Sequence, residues 1–390
     1  MNVLVVNAGS STLKYQVIDT KSHKVSAKGS CERVCFTGGT FTHAANGSKK
    51  VTENIEFPDH KVAIEVVLKD LEANGVKIEG IGHRIVQGGW YFGDSSLVDE
   101  DVLAKIREVA PLAPLHNNPE ANVIEYCLEQ YPDLPNVTVY DTAFHFNMPE
   151  VAKTYALPKD VCDKLHIRKY GAHGTSYRYI SKKVAEMTNG EARKVVVCHI
   201  GSGASLCAIE DGKCMDTTMG LTPLDGLIMG TRCGTVDPAT VFYLSREGHY
   251  SIDEIDTMMN KQSGLAAISG VSSDCRDIEA GANEGNERCQ MAIDMWSYRV
   301  ASQFATMVQA MNGVDTMVFT AGVGENSARM RKEVANRLAW MGVKIDDEKN
   351  AVRSDDPREI STPDSQIHVW VIPTNEEYMI ALDVKELLGK

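Results

Sequence analysis

The chain has 390 residues, 43% of them hydrophobic and 24% charged, with a net charge of −13. Its length leads to an expectation of two domains, its acidity argues against a general nucleic-acid or membrane-surface binder, and no apolar run reaches the roughly 20 residues of a membrane span. The opening MNVLVVNAGSS enters a strand pattern with no basic stretch before it, unlike a secretory signal, and ten cysteines without a CxxC pair read as reduced thiols of a cytoplasmic protein.

Strands and helices alternate from the start, which indicates an α/β class. Val3–Asn7 reads as a buried strand, followed by a Gly-Ser turn and a second strand, Leu13–Asp19. Asn46-Gly47 marks a hairpin. Asp59 is placed to cap a helix in which Val62, Val66 and Val67 share a face, ending at Asn74-Gly75. Asn118-Pro119 is expected to open another helix, with proline at its first position, and Val137–Tyr140 a strand ending at Asp141. The pattern then restarts. Thr175–Met187 is helical, Lys194–Ile200 a buried strand, and Asp237-Pro238 begins a helix stopping at Gly248. A long amphipathic segment over 288–311 leads to the strand Thr316–Thr320 and a helix from Ser327. Gln366–Ile372 is the last strand and Thr374–Leu388 the last helix.

The two halves echo one another. Val3-Leu-Val-Val-Asn-Ala-Gly-Ser-Ser leading to Asp19 runs in step with Val195-Val-Val-Cys-His-Ile-Gly-Ser-Gly leading to Asp211. A duplicated domain explains this, as would coincidence between two common hairpins.

A strand, a turn of small residues and a second strand leave backbone N–H groups and hydroxyls at a tip that can hold phosphate oxygens. Asn7, Ser10, Thr12 and Lys14 supply polar atoms and one positive charge in the first copy. Gly201-Ser202-Gly203, beside His199, does so in the second. Ala321-Gly322-Val323-Gly324-Glu325-Asn326 follows a strand and opens a helix as a nucleotide site does. Each alone is also compatible with an ordinary turn, and none matches the P-loop or dinucleotide glycine spacing. Arg84 after Gly82-His83 and Arg232 between Gly230 and Gly234 are either surface ion-pairing groups or two-pronged grips on a carboxylate or phosphate. His173, between glycines, is a ligand-facing group or a helix-entry residue. Asp141 and the Glu376-Glu377 pair suit magnesium. Thr374-x-x-Glu377 also fits a capping box, which assigns Glu377 to the helix end and leaves Glu376 for the metal.

Taken together, these segments resemble the acetate kinase family. The matching stretches are Val5–Tyr15, Gly82–Gly89, Pro111–Pro119, Tyr140–His145, Arg168–Ser176, His199–Ser205, Met229–Pro238, Phe319–Ser327 and Ile372–Glu377. They run in family order along the whole chain. The resemblance implies two duplicated ribonuclease-H-like (actin-like ATPase) domains with the active site in the cleft between them. The expected bounds are 1–147, completed by the C-terminal helix 377–390, and 148–376, which would bind nucleotide and join a homodimer. It implies Mg²⁺-dependent, reversible in-line transfer of the ATP γ-phosphoryl group to acetate, giving acetyl phosphate and ADP, with Mn²⁺ able to substitute.

Carried over by position, Asn7, Asp141 and Glu376 would organise the metal and phosphates. Arg84 and Arg232 would hold the carboxylate and the transferring phosphoryl group, to which His173 donates. Ser10, Thr12, Lys14, His199 and Gly201–Gly203 would meet ATP phosphates, and Gly322–Asn326 the adenosine. Val86, Leu115, Ala172 and Pro223 would line the alkyl pocket. The family usually has Asn where this chain has Ser202, Phe at Ala172 and often His at Tyr177. The first difference shortens a phosphate contact and the second widens the pocket. A propionate or butyrate kinase is the nearest alternative. A non-catalytic, nucleotide-switched binding protein of the same fold would need neither arginine.

Overall fold

The computed structural model describes residues 1–389. The chain forms two compact units, one of residues 1–146, 174–176 and the segment from Asn375, the other of residues 147–173 and 177–374.

The first unit is built on an eight-stranded sheet. Its strands are β1 (Asn2–Ala8), β2 (Thr12–Asp19), β3 (Val25–Glu32), β4 (Thr40–Ala45), β5 (Val51–Asn54), β6 (Gly80–Ile85), β7 (Ser96–Leu97) and β8 (Asn136–Tyr140), in the order β5-β4-β3-β2-β1-β6-β8-β7. β1 is central and covered on both faces, so Val3–Val6 form an unbroken apolar run instead of an alternating one. Leu4 and Val6 pack with Ile64, Val67 and Leu71 of the helix His60–Ala73. Val3 and Val5 face the opposite way, onto Ile380, Ala381 and Val384 of the last helix, Glu376–Leu387. Gly82 is what lets that helix approach: a Cβ there would lie 2.5 Å from Ile380 Cγ2. Asp59 caps the helix His60–Ala73, accepting from Val62 N. Asn46 and Gly47 both adopt the positive φ values of a tight hairpin, 50° and 77°.

The second unit has a six-stranded sheet of β9 (Lys194–Ile200), β10 (Ala204–Glu210), β11 (Lys213–Thr217), β12 (Thr316–Thr320), β13 (Arg358–Glu359) and β14 (His368–Val371), ordered β11-β10-β9-β12-β14-β13. The helix Glu287–Ala310 buries Ile293, Trp296, Val300, Phe304 and Met307 in its core, together with Cys198, Leu206, Met317 and Val369 of the sheet.

The echo between the halves is a real repeat of topology. In each unit a strand pairs antiparallel with the next, which pairs antiparallel with a third; on its other side the first strand pairs parallel with a later strand, which pairs parallel with a still later one. This is the duplicated ribonuclease-H-like, actin-like arrangement that the resemblance implies.

Two local expectations are corrected. The helix expected to open at Asn118-Pro119 begins at Pro114 and runs to Gln130, with Pro119 inside it. The helix-entry proline is therefore the earlier of the two. Residues Ala321–Asn326 are a short helix in their own right, ahead of the helix Ala328–Arg337 capped by Ser327.

Candidate active site

In the first unit the parallel strands β1, β6 and β8 end side by side, and their carboxyl ends are where open α/β sheets present ligand groups. Asn7, Arg84 and Asp141 sit there. Arg84 donates from Nε to Asp141 Oδ1 (3.3 Å), from Nη2 to Asp141 Oδ2 (2.5 Å) and from Nη1 to Asn7 Oδ1 (3.1 Å). Glu376, first residue of the last helix, places Oε2 4.0 Å from Arg84 Nε. Asp141 is buried and also accepts from Thr175 Oγ1 at 3.4 Å. Burial alone would weaken the charge on Arg84, but the neighbouring Asp141 and Glu376 more than reverse this and hold it protonated. Burial pushes Glu376 up to about 7; Arg84 opposes the shift, while Asp141 and Glu377 add to it.

Lys14 lies directly opposite Asn7 in the β1–β2 register, so both project from one face, with Thr12 two residues along. Ser10 and Lys14 are exposed. At the intervening turn Gly9 N donates to Thr12 O at 2.8 Å.

In the second unit His173, Arg232 and Gly203 come together. A Cβ on Gly203 would stand 3.1 Å from Arg232 Nη2 and 3.5 Å from His173 Nε2, so the bare α-carbon leaves the space onto which both groups converge. Arg232 Nη1 donates to Pro223 O at 2.7 Å. Arg232 forms no ion pair with a carboxylate among the described residues, and burial lowers its pKa from the ordinary value. A largely buried cation without an acid is prepared for an anion. His173 stacks on His199 with ring centroids 4.1 Å apart.

Beside them is a cavity of about 540 Å³ lined by Gly201, Ser202, Gly230, Ser273, Asp274, Arg276, Gly322, Val323, Asn326 and Arg353, among others. Gly322 needs no space from the protein: a Cβ there would meet nothing within 4 Å. Gly324 and Glu325 are not on the cavity wall. The Glu325 carboxylate accepts from Ala321 N (2.7 Å) and Thr374 N (3.0 Å), tying the short helix down.

The residues expected to line an alkyl pocket are distributed over both units. Val86 is buried in the first unit, and Leu115 is 56% exposed on the first turn of the helix Pro114–Gln130. Ala172 is 4% exposed and packs in the core of the second unit. Pro223 supplies the carbonyl that holds Arg232.

The capping box expected at Thr374 and Glu377 is absent. Asn375 is the cap, its Oδ1 accepting from Tyr378 N at 3.0 Å, so the division of Glu376 from Glu377 by helix capping falls away. The ion pair of Glu376 with Arg84 distinguishes the two instead.

Sequence reasoning missed the supporting residues. Glu120, buried, accepts from Val86 N with both oxygens (3.3 and 3.2 Å). Asn117 brackets Gln87, donating to its O at 2.8 Å and accepting from its N at 3.2 Å. Arg331, buried, donates to Gly324 O, Glu325 O, Asn350 O and Asn350 Oδ1. A charged residue in a helix interior gives no local signal of such a role; only the fold brings its partners to it.

The model of the Acetokinase family matches residues 2–382 of the chain. The chain is 49% identical over 399 aligned positions to the acetate kinase of Clostridium botulinum (strain Kyoto / Type A2), with both chains covered in full. It is similar to the crystal structure of Porphyromonas gingivalis acetate kinase, with a TM-score of 0.94, 39% identity and 99% of each chain covered. It is also similar to that of a propionate kinase from Francisella tularensis subsp. tularensis SCHU S4, with a TM-score of 0.93, 40% identity and 99% of each chain covered.

Proposed function

The chain belongs to the acetokinase family, and from that premise we propose that it is an acetate kinase, moving the γ-phosphoryl group of ATP reversibly to acetate. A carboxylate oxygen forms the new bond to γ-phosphorus as the bond from phosphorus to the β,γ-bridging oxygen breaks. ADP carries that oxygen away. A carboxylate is already nucleophilic at neutral pH, so no general base is required. Such transfers depend on positioning and charge neutralisation.

The geometric observation that supports this best is Arg232, a cation without an acid partner among the described residues, converging with His173 on the space over Gly203. There they would bind the transferring phosphoryl oxygens, with His199 and Gly201–Gly203 on the nucleotide's phosphates. The cavity bounded by Gly322, Val323 and Asn326 suits the adenosine. Arg84 would orient the acid's carboxylate, with Val86, Leu115, Ala172 and Pro223 bounding the alkyl group. Ser10, Thr12 and Lys14 extend the phosphate-binding face of the first hairpin.

Asn7, Asp141 and Glu376 form an all-oxygen donor set with two carboxylates, which fits Mg²⁺ or Mn²⁺. Burial raises Glu376, with Asp141 and Glu377 adding to the shift, and a dication beside these acids would favour their charged forms. When bound, the metal neutralises phosphate charge.

A homodimer is the assembly we propose. In the second unit Met291, Met295 and Tyr298 recur on one face of the helix Glu287–Ala310 at 55%, 39% and 60% exposure, and Phe242 and Tyr243 are 59% and 69% exposed. Exposed apolar and aromatic groups in this number are what a second copy would cover. Light scattering after size exclusion should give twice the chain mass, and a monomer at micromolar concentration would refute it.

Hydroxamate trapping of acyl phosphate from ATP and a panel of short acids tests the activity. Acetate should give the largest signal, with propionate second. Absence of product from every acid would overturn the reading. The second reading, a propionate kinase, is favoured by the similarity to such an enzyme, and the same panel decides it.

A further inference from the structure

His173 stands before the helix Gly174–Met187 at φ 59° and ψ 20°, left-handed values uncommon for a residue with a side chain. Its ring is held over the β9–β10 pair. His199 and Ser205 are register partners on those strands, so both project from one face. The His173 ring stacks on His199 and brings Nδ1 to 2.8 Å from Ser205 Oγ. Ser205 Oγ has a second neighbour, the Tyr177 hydroxyl, at 2.5 Å. Tyr177 is one turn into the helix from His173, and Tyr177 and Ser205 are fully buried. On the far edge of the imidazole, Nε2 faces the space over Gly203 beside Arg232 Nη2.

We propose that Tyr177 and Ser205 are positioning residues that set the tautomer of His173, keeping Nδ1 an acceptor and the proton on Nε2. A serine hydroxyl has one proton to give, either to the tyrosine oxygen or to the imidazole. A phenol, with an ordinary pKa near 10, is a far stronger acid than an aliphatic alcohol and so the better donor of the two. Tyr177 therefore donates to Ser205, Ser205 donates to His173 Nδ1, and the imidazole proton is left on Nε2. Burial raises the Tyr177 pKa further, which keeps that phenol protonated. The partner of one imidazole nitrogen decides what the other can do. With the proton on Nδ1 instead, Nε2 would turn a lone pair toward a phosphoryl oxygen and repel it. What Nε2 serves rests on the phosphoryl-transfer reading above; where the proton sits does not.

The test is nitrogen NMR of the full-length protein with ¹⁵N-histidine, the His173 signals being identified by their loss in His173→Gln. The wild type should show an unprotonated-type Nδ1 and a protonated-type Nε2. Tyr177→Phe, which keeps the ring's packing, should move the population toward proton on Nδ1. It should also lower kcat about 10-fold, less than the ~10²-fold typical of losing a transition-state donor outright, with KM for acid and nucleotide within about twofold. Ser205→Ala should act likewise and Ser205→Thr, which keeps a hydroxyl, should restore both readouts. A wild-type proton on Nδ1, protonation of both nitrogens, or unchanged His173 signals in folded Tyr177→Phe and Ser205→Ala would overturn the proposal. An enzyme that makes acetyl phosphate with Nδ1 protonated would refute the tautomer alone. The expected tautomer in a protein inactive on every acid would refute the activity alone.

Discussion

The guanidinium of Arg84 grips the carboxylate of Asp141 through two nitrogens, Nε at 3.3 Å and Nη2 at 2.5 Å, while its third, Nη1, reaches Asn7. The two residues lie 57 positions apart and are joined because β6 and β8 run parallel and end together. The charge on one is thereby coupled to the position of the other, so the site's cation and the acid we propose for the metal form a single structure.

That coupling predicts the behaviour of substitutions on either side. Arg84→Lys keeps the charge but has one nitrogen where three are used, and a planar fork cannot be imitated by a point charge. Turnover should fall about 10²-fold or more, the scale of a lost preorganised donor. Asp141→Asn should fall comparably, since it removes the acid that both orients Arg84 and, on our reading, holds the metal. Both proteins should retain the wild-type circular dichroism spectrum. Near-normal steady-state kinetics in folded Arg84→Lys would remove that residue from the site.

Gly203 offers a test in the other unit. A methyl group there would intrude to 3.1 Å from Arg232 Nη2 and 3.5 Å from His173 Nε2, filling the space where we place the phosphoryl group. Gly203→Ala should fold, because the long arginine side chain can yield, and should lose turnover by about 10-fold or more. Arg232→Lys, which cannot both bind Pro223 O and present a fork, should lose more. Unchanged kcat in Gly203→Ala would show that the phosphoryl group lies elsewhere.

On the proposed reading, Gly322 separates nucleotide binding from acid binding. Its missing side chain serves no packing purpose in the protein, since nothing lies within 4 Å of its would-be Cβ, and it borders the 540 Å³ cavity. Gly322→Ala should therefore leave the melting temperature unchanged and raise KM for ATP several-fold, with KM for acetate unaltered. Equal ATP kinetics in the two proteins would move the adenosine away from this wall.

The last helix supplies a stability test. Asn375 caps it through Tyr378 N, so Asn375→Ala should cost about 1 kcal/mol in urea unfolding. Glu377→Gln, with no cap to lose, should stay within about 0.5 kcal/mol. The reverse order would restore the capping box.

How much of this was legible in sequence follows from range. β9 and β12 are buried on both faces, so Lys194–Ile200 and Thr316–Thr320 could be read residue for residue. Asn46-Gly47 carries its hairpin locally. Where two local signals compete, the reading failed: Pro114 and Pro119 both suit a helix entry, and Thr374 and Asn375 both suit a cap. At the last helix, Thr374 N is taken up by the Glu325 carboxylate and Asn375 serves as the cap. Glu120, Asn117, Ser205 and Arg331 carry no local mark of these contacts, because each acts on backbone or side chains 6 to 34 positions away.

The final prediction concerns the acid's chain length. Ala172 was expected to leave room beside the acid's methyl group, yet it packs in the second unit's core at 4% exposure. Ala172→Phe would force a ring into that packing, at about 1–3 kcal/mol of stability for an overfilled site, so its effect on acid preference would be confounded with misfolding. Val86 is the cleaner probe. It is buried, and the double contact of its N–H with Glu120 fixes its backbone, so a smaller side chain should leave the loop in place. Val86→Ala opens space for one methylene, about 0.8 kcal/mol when buried, which corresponds to about fourfold in kcat/KM. Propionate should gain by that factor relative to acetate, while acetate itself changes little or worsens. If the ratio of the two acids is the same in wild type and Val86→Ala, residue 86 does not border the alkyl chain.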